Sequence, residues 1–298
     1  VRRTDRERRD DAVPNIFTDT TPVVDPSDPN SPTCVITDAW GLVYAQGGVV
    51  MAAALRAIET VLDRPDLTLA SASATFCRPV ACGPVTTEVE VLRSGRRGAQ
   101  VHATLRDQHS TDGGANVVLT AVFTDPELEG PRLSPLERPV ELSEPPGDVV
   151  ESAVAADDRF ELGFLDNTVW HLAATPAHAD APVVAGSPVP LVALWFRFTD
   201  PPAPLDVDWA PALLPIPGDS LGSALVVALG GGDTPVGSVS LQIGIQVLAP
   251  ISGRWIGIDS LCTDVGNGLA SGVVHLWSES GAHVATVTQT AMLRSFGG

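Results

Sequence analysis

The chain has 298 residues, 44% of them hydrophobic, with a mean hydropathy of +0.17. That is enough for a large buried core in one domain or two, and no run approaches the ~18 apolar residues of a membrane span. Formal net charge is −18 and every one of the 18 basic residues is an arginine. Five of them face three acids within the first ten residues, leaving −20 for the rest, which argues against nucleic acid as the main partner and does not steer an anionic ligand from afar.

The opening VRRTDRERRD leads into DDAVPNIF rather than an apolar run, so residues 1–30 read as a solvated, disordered arm with no secretory signal. Without export, the four cysteines (Cys34, Cys77, Cys82, Cys262), which form no CxxC pair, are expected as thiols in a reducing cytoplasm. The six histidines form no HExxH and no metal site is expected.

GGVVMAAALRAIETVLDRP follows as an alanine-rich helix over residues 47–62, opened by Gly47 and Gly48 and closed ahead of Pro65. Residues 71–108 and NVVLTAVFTD then give four strand-like runs, with a Pro-containing break after the first and a Gly-containing turn between the second and third. Arg93, Arg96 and Arg97 in VLRSGRRG, with Arg78 nearby in sequence, are the dense basic cluster of the body. They are either a solvated turn or the place where a phosphate would be held.

PELEGPRLSPLERPVELSEPPGD, rich in Pro and Glu, reads as a linker over 126–148. Beyond it, DSLGSALVVALGGG gives a second helix from about 219 to 230, introduced by Pro217 and Gly218 with Asp219 as N-cap. Four strand-like runs follow in the same rhythm over 240–293. A helix ahead of an antiparallel meander, made twice, predicts an α+β chain of two units, 31–125 and 149–298, each a helix wrapped by a sheet, with the sheets joined edge to edge.

The last strand, VATVTQTAML, places Thr286, Thr288 and Thr290 on one face and Ala285, Val287, Gln289 and Ala291 on the other. Threonines suit a solvated face. An amide in an apolar row needs hydrogen-bond partners or costs about 1–3 kcal/mol.

AWGLVYAQGGVVMAAALRAI, TFCRPVACGPVTTEVEVLRSGRR, WFRFTDPPAPLDVDWAPALLPIPGDSLGSAL and VTQTAMLR, in that order, resemble the type II acyl-CoA thioesterases and their thioesterase-like relatives, over roughly residues 33 to 295. The resemblance implies a double hotdog fold. It also implies a water-activating set of an Asp at the second helix, a Ser or Thr on the next strand and a Gln on the last, which would be Asp219, Ser240 and Gln289. The hydroxyl stays open: Ser240 fits an alignment anchored on the Pro250 break, an ungapped count back from Trp255 lands on Val239, and strand parity does not settle it, because Val239, Leu241, Ile243 and Ile245 form the apolar face and Ser240 lies opposite. The first half offers Ala121 or Val122 in place of Gln289, and Gln46, Gly47 and Gly48 in place of an Asp, so one complete set per chain is expected. Gly47 and Gly48 either let substrate approach backbone N–H groups or let helices pack closely. Val287 and Ala291 would line the acyl site.

The implied substrate is an acyl-CoA or carrier-bound thioester, coenzyme A entering as part of the substrate and no separate cofactor being needed. Monomer and homodimer are both open. Three rivals stand beside hydrolysis: an acyl-binding protein without efficient turnover, recruitment to a carrier-bound or polyketide-like intermediate, and a hydratase. A hydratase would need an Asp and a His five apart at a hotdog helix. Asp166 and His171 have that spacing, but in a stretch that reads as a strand.

Overall fold

The computed structural model describes residues 14–110, 113–131, 133–142, 144–147, 163–174, 191–199, 209–229 and 236–295. A short helix α1 (Ile16–Asp19) and strands β1 (Val23–Asp25) and β2 (Asp28–Ile36) lead into helix α2 (Gly47–Leu62), then β3 (Thr68–Phe76), β4 (Gly83–Gly95), β5 (Gly98–Asp107) and β6 (Val117–Thr124). The second set runs α3 (Gly163–Asp166), β7 (Thr168–Ala174), β8 (Leu191–Phe198), α4 (Pro215–Gly218), α5 (Leu221–Ala228), β9 (Val236–Val247), β10 (Ile256–Gly266), β11 (Leu269–Trp277) and β12 (His283–Ser295). Residues 14–30, assigned to the arm by charge and composition, are folded. Asn15 caps α1 by accepting from the amides of Phe17 and Thr18, and Arg56 of α2 reaches back to Thr20 Oγ1 at 2.7 Å.

Among the described residues, twelve strands form one antiparallel sheet in the order β1-β2-β4-β5-β6-β3-β9-β12-β11-β10-β8-β7. Read inward from either edge, the two halves follow one plan, and β3 and β9 are the inner edges that pair, from Ser71 with Gln246 to Thr75 with Gln242. Each half thus covers the edge the other would expose.

Helix α2 is apolar nearly all round, with Val49, Val50, Met51, Leu55 and Ile58 at most 1% exposed, as a helix enclosed by a sheet must be. The second helical segment is broken. Pro215–Gly218 is a turn of its own, the backbone leaves helical geometry at Asp219 (φ −81°, ψ 57°), and Ser220 starts α5. Asp219 is therefore not the N-cap of α5, as expected, but the residue between two helical pieces. The stretch Pro211–Ala228 is apolar enough by composition to cross a membrane, yet 61% of it is buried within the protein.

The presumed linker is partly docked. Leu142, 1% exposed, packs between Trp195 and Trp277 on the sheet face away from the helices, over Gly257, whose missing side chain leaves the room. Arg138 lies over the Trp195 ring and donates to the Glu279 carbonyl at 3.1 Å.

Candidate active site

Asp219 is held at the meeting of both halves. Its Oδ1 accepts from Ser240 Oγ at 3.0 Å and from Gln289 Nε2 at 2.5 Å. Its Oδ2 accepts from the Gly48 amide at 3.0 Å and from Gln46 Nε2 at 3.0 Å. The carboxylate that sequence assigned to capping its own helix thus sits at the N-terminus of α2, where backbone N–H groups and the helix dipole favour an anion. Burial pushes its pKa up, to about 6, against the opposing hydrogen bonds of Ser240, Gly48, Gln289 and Gly47. Four donors converge on it, an arrangement that suits the ionised form.

Gln289, 4% exposed, spends its whole amide: Nε2 donates to Asp219 and to Ser240 Oγ at 2.8 Å, and Oε1 accepts from the Leu221 amide at 3.2 Å. It supplies the first amide of α5 with the acceptor that the Ser220 side chain does not. The structure brings Ser240 to the same place through a β-bulge. Thr290 pairs with Gln242 and Ala291 with Ser240, so Leu241 is an extra residue, and Ser240 turns to the face that Ile243 and Ile245 occupy. Strand parity pointed the other way because it assumed an unbroken strand.

Gly47 and Gly48 differ in what they do. A Cβ on Gly48 would lie 2.3 Å from the Pro215 carbonyl oxygen, so this glycine permits the close crossing of α2 and α4. Its amide is taken by Asp219. A Cβ on Gly47 would meet Asp219 Oδ2 at 2.7 Å, with the Phe76 ring next nearest. Val287 and Ala291 flank Gln289 on the buried face of β12, at 0% and 1% exposure, and Val287 packs against Gly218.

Gln46 is the residue sequence reasoning missed. It is 4% exposed, caps α2 by accepting from the Val49 amide at 2.7 Å, and donates to Asp219 and, at 3.4 Å, to the Ile216 carbonyl. A glutamine ahead of two glycines was the visible signal. Its partner lies 173 positions away.

The other candidates lie elsewhere. Arg64 pins the β4–β5 turn through the Gly95 carbonyl at 3.0 Å and pairs with Asp66 at 2.6 Å. That turn lies at the Thr68 end of β3, since Thr68 and Gly98 both pair with Thr124. Arg78 follows the Phe76 end, about 25 Å away at strand spacing, so the basic cluster does not converge. Asp166 and His171 fall on α3 and on β7, the sheet edge, not at either central helix. Among the described residues no group of three or more His, Cys, Asp or Glu could hold a metal.

The register also locates the degenerate copy. Gly98 with Thr124 and Leu269 with Met292 are corresponding pairs beside the two hairpin turns, which makes Ala121 the counterpart of Gln289. The bulge recurs too: Leu69 pairs with Phe123 and Ser71 with Val122, leaving Leu69 where the second half has Ser240. The first half thus carries leucine and alanine where the second carries hydroxyl and amide.

The class comes from comparison of this double hotdog with known proteins. Residues 36–124 match the model of the acyl-CoA thioesterase N-terminal domain and residues 143–293 that of the C-terminal domain. The chain belongs to the acyl-CoA thioesterase family and is a thioester hydrolase. No curated protein matches it. Among solved structures, a hot dog fold protein of unknown function from Alicyclobacillus acidocaldarius superposes with a TM-score of 0.73 at 19% identity, covering 94% of this chain and 98% of that one. The acyl-CoA thioesterase II of Mycobacterium marinum gives 0.69 at 20% identity, covering 95% and 98%. The TesB protein of Mycobacterium avium subsp. paratuberculosis gives 0.71 at 16%, covering 94% and 98%.

Proposed function

We propose that the chain hydrolyses acyl-CoA thioesters with a water activated by Asp219. The observation that carries this reading is the buried, ionisable carboxylate of Asp219, joined to Ser240 and Gln289 in one hydrogen-bonded cluster. Asp219 takes a proton from water as the oxygen attacks the thioester carbonyl carbon. The C–S bond then breaks, and the proton passes to the leaving thiolate, giving free acid and thiol. A carboxylate with a pKa near 6 is ionised at neutral pH and still basic enough to accept that proton. Ser240 and Gln289 fix its orientation. The reading needs no cofactor beyond the coenzyme A of the substrate.

The test is thiol release across a series of acyl-CoA chain lengths and from an acyl carrier protein, with Asp219→Asn as control. Release that depends on Asp219 supports the reading, and a preference for the carrier would move the substrate to carrier-bound intermediates. Equal release by parent and variant on every thioester would remove Asp219 as the base.

A further inference from the structure

A carboxylate offers about four lone-pair directions, and in Asp219 all four are taken. Ser240 and Gln289 fill Oδ1; Gly48 and Gln46 fill Oδ2, with the Gly47 amide of the same helix start also turned to the carboxylate. A water that is to lose a proton to Asp219 has no free position on either oxygen. One donor has to withdraw.

Three of the four are poorly placed to do so. The Gly48 N–H is part of α2, and moving it would separate that helix from Pro215. Gln289 sits mid-strand, paired on one side with Gly272 and on the other with Ile243, and its Oε1 holds the start of α5. Ser240 is fixed by the bulge and braced by Gln289. Gln46 differs. Its backbone is anchored, the amide donating to the Trp40 carbonyl at 3.1 Å, and its side chain, bound to no strand, is held by the cap it makes on the Val49 amide at 2.7 Å, which the swing gives up. The turn before it, closed by the Gly41–Ala45 bridge, carries Leu42, Val43 and Tyr44 at 40%, 60% and 48% exposure, so the chain comes to Gln46 from solvent. Its further contact, to the Ile216 carbonyl, is long at 3.4 Å.

We propose that Gln46, supplied by the first half, is the exchangeable ligand of the Asp219 carboxylate: its amide reserves the position on Oδ2 that the attacking water takes when the side chain swings away. The inference rests on the hydrolytic reading above and adds a positioning residue from the other hotdog. Gln46 acts through Asp219, and its swing makes the first half a working part of a site whose other side chains lie in the second.

Gln46→Ser is the informative variant, because serine is a good helix N-cap yet too short to reach Asp219, and Gln46→Asn repeats the test with a second capping residue. Modification of Asp219 by a water-soluble carbodiimide with an amine nucleophile, mapped by mass spectrometry at pH 6, reads access to the carboxylate without requiring activity. Labelling should be about tenfold or more faster in Gln46→Ser than in the parent, the factor that one hydrogen bond to a charged group carries in an opening equilibrium. Equal labelling in folded variants overturns the proposal. Thiol release at pH 8, well above the parent's Asp219 pKa of about 6, should rise in Gln46→Ser; no change, or a fall like that of Gln289→Ala, also overturns it. Faster labelling in a protein that releases no thiol would keep the exchange at Asp219 and reject the hydrolytic reading.

Discussion

At the scale of the residue, the proposed reading makes one carboxylate set both activity and its pH dependence. Asp219→Asn should lower turnover by about 10² to 10⁴, the usual contribution of a positioned base, with the circular dichroism spectrum unchanged. On that reading the ionised form is the base, so kcat/KM in the parent should fall as pH drops through about 6 and level off above it. The same shift has a cost in stability. The unfolded group titrates near the ordinary carboxylate value of 3.8 and the folded one near 6, so the folded state keeps its proton longer and loses stability as pH rises between them. Two pKa units set an upper figure of about 3 kcal/mol, measurable as a pH-dependent difference in unfolding free energy between the parent and Asp219→Asn. Gln289→Ala should impair turnover more than folding, since what it chiefly removes is the brace on Asp219 and Ser240; an equal loss in both would make the amide a structural residue.

At the scale of the element, α2 was legible in the sequence almost to the residue, because apolar periodicity, two opening glycines and a following proline are all local signals. The site was legible only in part. Gln289 stood out as an amide in an apolar row, but Ser240 appeared to face the wrong way, since a bulge leaves no mark in alternation until the pairing partner is known. Asp219 looked like a cap for its own helix, and its actual partner, the N-terminus of α2, lies across the interface between the halves. Such long-range contacts are set by packing and not by local pattern. The two glycines of α2 separate the two roles by experiment. Gly48→Ala would drive a methyl group into the Pro215 carbonyl and should lower stability by about 1 to 3 kcal/mol or more. Gly47→Ala places its methyl against Asp219 Oδ2, so its larger effect should be on turnover. Leu142→Ala, on the docked stretch between the halves, should cost about 2 to 5 kcal/mol in chemical denaturation if that plug is as well packed as its burial implies.

At the scale of the whole molecule, duplication explains why one chain carries one site. Both halves keep the sheet order and the bulge, but the first has Leu69 and Ala121, both within the core, where the second has the hydroxyl and the amide. What it retains is a helix N-terminus, which serves the carboxylate of the other half through Gln46 and Gly48. The halves are therefore held together by the site as well as by the β3–β9 ladder and the contact of α2 with α4. None of these contacts depends on the connecting peptide near Gly130, where an added Cβ would meet nothing within 4 Å. A chain cleaved at that point should stay together through size-exclusion chromatography and keep its thiol-release activity, since Leu142 and Arg138 remain anchored to the second half. If the cleaved chain separates or loses turnover while the second half stays folded, the connecting peptide and not the sheet junction holds the two halves in register around Asp219.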